Sequence, residues 1–224
     1  MRVVAWVVGA CALWGAGCST VPNYKDLDLA DTAVLPSVEV RHAFAEEGDA
    51  GMFVAASTTG AKGSDSGSLG AGEFLSVGGE QLAGPTEWDA DFELRLVEFV
   101  IGARLPLEPV DFDVAIGIGG VGGVLDLTGD TNTISEELDF VGLVAGLAFE
   151  FPLADWLVGR TALDGVVGDE ATFTRLDATL RARLFRGCFV ELGYGMLSYS
   201  RTDLGESDLE LRLSGPRVGI VLGL

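Results

Sequence analysis

The chain has 224 residues, of which 48% are apolar and 21% charged, with 32 glycines and a formal net charge of −20. So acidic a chain excludes a nucleic-acid binder, which needs a basic patch. Beyond the first seventeen residues no run of about 18 apolar residues occurs, so no transmembrane helix is expected.

Residues 1–17 read as a signal peptide: Arg2 supplies the positive region and Val3 to Leu13 the apolar one, followed by small residues. The run Gly15-Ala16-Gly17-Cys18 resembles a bacterial lipobox. That resemblance implies acylation of Cys18, and Ser19 resembles the class sorted to the outer membrane. Residues 18–35 are polar and aperiodic, and read as a periplasmic linker. With Cys11 in the signal and Cys18 as anchor, Cys188 stands alone, so neither disulfide nor metal spacing remains.

A first strand is expected over 36–45. Residues 46–88, rich in Gly, Ser, Thr and acids, read as a long external loop. Seven further strands follow at 89–105, 112–127, 138–151, 156–167, 171–185, 188–202 and 208–224. Tight connections such as Pro106-Leu107-Glu108-Pro109 and Arg186-Gly187 alternate with acidic ones. Together they give an all-β barrel domain over 36–224, eight-stranded, antiparallel and up-and-down, crossing a membrane. An even strand number places the N-terminus in the periplasm beside the tight turns.

Alternation defines two faces. In the strand over 171–185, Leu176, Ala178, Leu180, Ala182 and Leu184 oppose Arg175, Asp177, Thr179, Arg181 and Arg183. The strand over 89–105 switches phase near Leu96-Val97. Polar residues of both signs then call for a lumen charge network of Glu93, Arg95, Glu98, Arg160, Arg175, Asp177, Arg181, Arg183, Glu191 and Arg212. Unpaired charge in so narrow an interior is too costly to persist. Trp88, Phe151, Trp156, Phe185 and Tyr199 lie near strand ends, where aromatic girdles belong.

His42, the only histidine, lies on the apolar face of the first strand and has no serine at suggestive spacing. It reads as structural rather than as a general base. The acidic connections lack a D-x-D-x-D-G arrangement, so no metal site and no cofactor are expected.

Eight meandering strands, the turn Phe151-Pro152-Leu153-Ala154 and the terminal run Arg217 to Leu224 resemble the small outer-membrane barrels. The transmembrane domain of outer-membrane protein A is the nearest type. The resemblance implies a non-enzymatic protein of the bacterial outer membrane, with a structural or surface-interaction role. Its partners would be membrane lipid, lipopolysaccharide and the barrel assembly machinery, and the loop's own partner is unknown. An alternative is a soluble, lipid-anchored, lipocalin-like barrel with Leu176, Leu180 and Leu184 inside around an apolar ligand. A third reading, a lipid-modifying enzyme, rests on His42 alone.

Overall fold

A computed structural model describes residues 23–24, 27–44, 50–77, 79–201 and 209–224. Residues 1–17, expected as a signal peptide, and Cys18 lie outside them; of the expected linker over 18–35, residues 23–24 and 27–35 are described, with strand at 23–24 and 27–32 in place of aperiodic chain. Among the described residues the chain is all-β: β1 (Asn23–Tyr24), β2 (Leu27–Thr32), β3 (Leu35–Ala43), β4 (Gly51–Leu69), β5 (Glu73–Val77), β6 (Glu80–Ala83), β7 (Thr86–Leu107), β8 (Val110–Gly129), β9 (Thr133–Glu137), β10 (Phe140–Ala154), β11 (Leu157–Val167), β12 (Ala171–Phe185), β13 (Cys188–Arg201) and β14 (Leu209–Gly223).

The large sheet follows the order β10-β11-β12-β13-β14-β3-β4-β7-β8, and β8 pairs with β10 again, so the ladder returns to its start. Nine described strands make this ring, not eight. All neighbours are antiparallel except at one seam, where β14 runs parallel to β3 and, above it, to β2. The parallel seam follows from the odd number: after an odd count of up-and-down strands, first and last point the same way.

The additional strand is β4, which pairs with β7 from Gly51↔Arg104 to Leu69↔Thr86. The expected loop over 46–88 is therefore largely sheet. Ser64, Ser66 and Ser68 are exposed outward positions that alternate with Gly63, Asp65 and Gly67. Gly67 faces the Trp88 ring, which an added Cβ would strike. What remains between β4 and β7 is the small β5–β6 hairpin, with β1 parallel to β5.

We call the end carrying this hairpin the cap end, and the end carrying Glu108-Pro109, Asp155-Trp156 and Arg186-Gly187 the turn end. Arg186-Gly187 is a two-residue turn, and Gly187 supplies its positive φ of 76°. Because β2 and β3 run parallel to β14, the described chain enters at the cap end and leaves β14 at the turn end. The first described residues thus lie at the end opposite the tight turns, because the ring has an odd and not an even count of strands.

Side-chain alternation holds its phase along β7: Trp88, Ala90, Phe92, Leu94, Leu96 and Glu98 are all buried. The predicted phase switch at Leu96-Val97 is instead a switch of chemistry. Nearer the cap end the interior is apolar, with Phe92, Leu125, Leu127, Ile134, Phe173, Tyr199 and Leu211 in one core. Outward positions there are Lys62, Ser64, Asp89, Asp91, Glu93, Asp126, Thr172 and Arg212. Nearer the turn end the arrangement inverts, with Glu98, Asp113, Glu150, Arg175, Asp177, Arg181, Glu191 and Arg217 buried inside. Phe99, Ile101, Ile116, Ile118, Val141, Leu143, Leu192 and Ile220 face outward, Val141 being 77% exposed.

The level of inversion is shared around the ring. Leu96 pairs laterally with Thr59 and Val121, Val166 with Phe173, and Phe173 with Tyr199. One or two residues further on lie Glu98, Asp164 and Arg175. Leu176, Leu180 and Leu184 point outward, 45%, 49% and 61% exposed. The lipocalin-like arrangement with these leucines inside therefore does not occur in the turn-end half. The expected aromatic girdle is split: Phe151, Trp156 and Phe185 are exposed near the turn end, whereas Trp88 and Tyr199 are buried in the cap-end core.

Candidate functional site: a charged interior

In the turn-end half, inward positions come from every strand of the ring, so acids and bases distant in sequence converge. Arg175 on β12 is the upper hub. It donates to Asp164 (2.8 Å), to Glu98 (2.9 Å) and to the Thr59 hydroxyl on β4 (3.0 Å). Its Nε also lies 3.2 Å from Asp177. Asp177 in turn accepts from Arg217 on β14. The Arg217 Nε lies 3.2 Å from Glu191, close enough for charge attraction but outside hydrogen-bond geometry.

Arg181 is the second hub, donating to Glu191 (2.8 Å), Glu39 (2.8 Å) and Glu150 (3.1 Å). Glu150 is shared with Arg104 and approached by Arg160 at 3.6 Å. Arg104 and Arg41 then meet on Asp113, at 2.9 Å and 2.8 Å. One connected path thus descends from Glu98 to Arg41 near the turn end. Such pairs are charge-assisted, and several guanidinium groups bridge two or more strands.

Of the ten residues expected in this network, Glu98, Arg160, Arg175, Asp177, Arg181 and Glu191 belong to it. Glu93, Arg95 and Arg212 do not. They are exposed, on outward positions of the cap-end half, where Glu93 pairs with Lys62 and Arg212 with Glu210. The reason is the inversion of chemistry: above it, polar alternation marks the outside. Arg183 is half-buried at the turn-end mouth, with its guanidinium 5.4 Å from the Phe189 ring centre. Asp113, the lowest acid of the path, was not anticipated. Beyond it, the inward positions of its strand from Ala115 to Leu127 are glycine or apolar, so polar alternation gave no signal there.

Above the network the interior is filled by the apolar core. Leu75 and Leu82 of the β5–β6 hairpin join that core, each 1% exposed. Two elements therefore occupy the interior in series, and neither leaves room for a wide aqueous channel.

The remaining expected positions have plain surroundings. The His42 ring donates to the Leu224 carbonyl at 2.7 Å and packs edge-on against Phe44, so its partner is a backbone oxygen. Cys188 is buried and unbridged. No cluster of three His, Cys, Asp or Glu able to hold a metal occurs among the described residues. No family model, curated protein or solved structure matches the chain.

Proposed function

We propose that the chain is a non-enzymatic β-barrel of the bacterial outer membrane, which crosses the bilayer with its turn-end half only. The cap-end half stands in water as a rigid, acidic, internally packed storey. The observation that carries this reading is the shared level at which the two faces exchange chemistry. A soluble closed sheet would keep its apolar residues inside throughout, and an ordinary short membrane barrel would keep them outside.

The dimensions agree with a membrane span. Outward apolar residues on β7 run from Val97 to Leu107, ten steps of about 3.4 Å; at a tilt of about 40° that is about 26 Å of height. Closure matters as much as apolarity. In hydrocarbon every backbone group must be paired within the protein, and a ring without an edge does that.

In this reading Cys18 is acylated and the N-terminus is periplasmic, so the cap-end storey also lies in the periplasm. Cys18 precedes Asn23, where β1 joins the cap-end hairpin, by five residues, a reach of about 17 Å when extended. That is too short to reach the far leaflet. The role is structural, a salt-bridged anchor holding an acidic platform against the membrane, with envelope lipid and the assembly machinery as partners.

Gel mobility tests the reading. The full chain in detergent should migrate faster unboiled than boiled in SDS, because a closed ladder resists the detergent. Identical mobility under both conditions would sink it.

A further inference from the structure

A cavity of about 720 Å³ opens at the turn end, on the mouth of the charged interior. We infer that it is a binding site for an anionic amphiphile, whose phosphate or carboxylate head enters the mouth while its acyl tail stays outside. The inference rests on the membrane reading for the source of its ligand.

The charged wall is built before any ligand arrives. Arg41, Arg104, Arg181, Arg183 and Arg186 line the cavity, and Glu150 is the acidic side chain among its described lining residues. Arg41 is fixed twice, on Asp113 at 2.8 Å and with its guanidinium 3.6 Å above the Phe53 ring. Arg104 is held by Asp113 and Arg181 by Glu191, at 2.9 Å and 2.8 Å. A guanidinium so held meets an anion with little ordering left to do. Planar guanidinium groups also match the oxygens of phosphate and carboxylate.

The second wall is apolar and continuous with the lipid-facing surface. Trp156, Leu184 and Phe185 line the same cavity and are 58%, 61% and 65% exposed. A soluble anion would use only the first wall. A lipid with a charged head uses both, and the size lies within the usual range for small-molecule sites.

Native mass spectrometry of the full chain in neutral detergent provides the test, with phosphatidylglycerol, phosphatidylcholine and inorganic phosphate as probes. One phosphatidylglycerol molecule should be retained, and phosphatidylcholine should not. The double variant Arg183→Ala, Arg186→Ala should weaken retention about tenfold, as expected for lost charge-assisted contacts. The exposed turn change Arg186→Gln alone should weaken it in the same direction and guards against misfolding. Equal retention of the two lipids, or no effect of either variant, overturns the inference. Displacement of the lipid by millimolar inorganic phosphate overturns the assignment to an amphiphile. Heat-dependent gel mobility of each sample separates these outcomes from failure of the membrane reading itself.

Discussion

Arg175 on β12 reaches across the interior to Glu98 on β7, 2.9 Å away, although the two are 77 positions apart in sequence. This contact sits just below the level at which the interior turns from apolar to charged. It ties opposite walls of the ring together, with Asp164 and Asp177 drawn in from neighbouring positions.

Replacing Arg175 by Met leaves Glu98, Asp164 and Asp177 facing one another without their shared cation. The cost should be about 3–5 kcal/mol, as for breaking one side of a buried ion pair. Urea unfolding of the protein reconstituted in lipid measures it. Adding Glu98→Gln should return part of the loss, because the second change removes one of the stranded charges. A double variant destabilised by the full sum of its parts would mean that the two residues act independently.

The two halves predict opposite responses to one kind of substitution on a single strand. Ile101→Arg places a charge on the outward face of the turn-end half and should cost about 2–4 kcal/mol in a bilayer. Asp91→Arg, on the same outward face ten residues earlier, should be neutral or stabilising. Asp91 lies directly opposite Asp126, and like charges opposed across strands repel. Unfolding in lipid vesicles compares them, and equal costs would remove the basis for placing the membrane boundary at Leu96.

How much of this was legible in the sequence depended on which face carried the signal. The alternation of β12 was readable because Leu176 to Leu184 and Arg175 to Arg183 differ sharply in polarity. β4 was not readable, because its outward Lys62, Ser64, Ser66 and Ser68 oppose inward Ala61, Gly63 and Gly67. Such a pattern has the composition of a loop, and it becomes a strand only through pairing with β7 along its length. Missing that strand made the count even and concealed the parallel seam. The exchange of chemistry within β7 resembled a slip of phase because alternation reports polarity and not direction. Only the lateral neighbours of Leu96 and Glu98 distinguish the two.

The seam can be tested separately. At Gly215 an added Cβ would collide with the Ala33 carbonyl of the adjoining segment between β2 and β3, a backbone atom that cannot move aside. Gly215→Val should therefore prevent closure and abolish the heat-dependent mobility. At Gly60 the nearest atoms would lie 3.9 Å and 4.0 Å from the new Cβ, so Gly60→Ala should leave closure intact. A cysteine pair at Ser37 and Gly219, registered partners on β3 and β14, should oxidise to a disulfide with Cys188 replaced by Ala. Failure to cross-link in the folded protein would count against the parallel register.

Orientation follows from the same seam, because an odd ring brings the described chain in at the cap end and out beside the tight turns, on opposite sides of the membrane. Single cysteines at Asp130, near the cap end, and Glu108, at a tight turn, report the two sides in a Cys188→Ala background. If Cys18 is acylated in the periplasmic leaflet, a membrane-impermeant maleimide should label Glu108→Cys on intact cells. Asp130→Cys should be labelled only after the outer membrane is permeabilised. The opposite pattern would place the acidic storey on the cell surface. With Cys18 only about 17 Å of extended chain from Asn23 on the cap-end hairpin, it would also require the anchor to be in the outer leaflet or absent. Metabolic labelling with a radioactive fatty acid, compared between the native chain and Cys18→Ser, decides between those two arrangements.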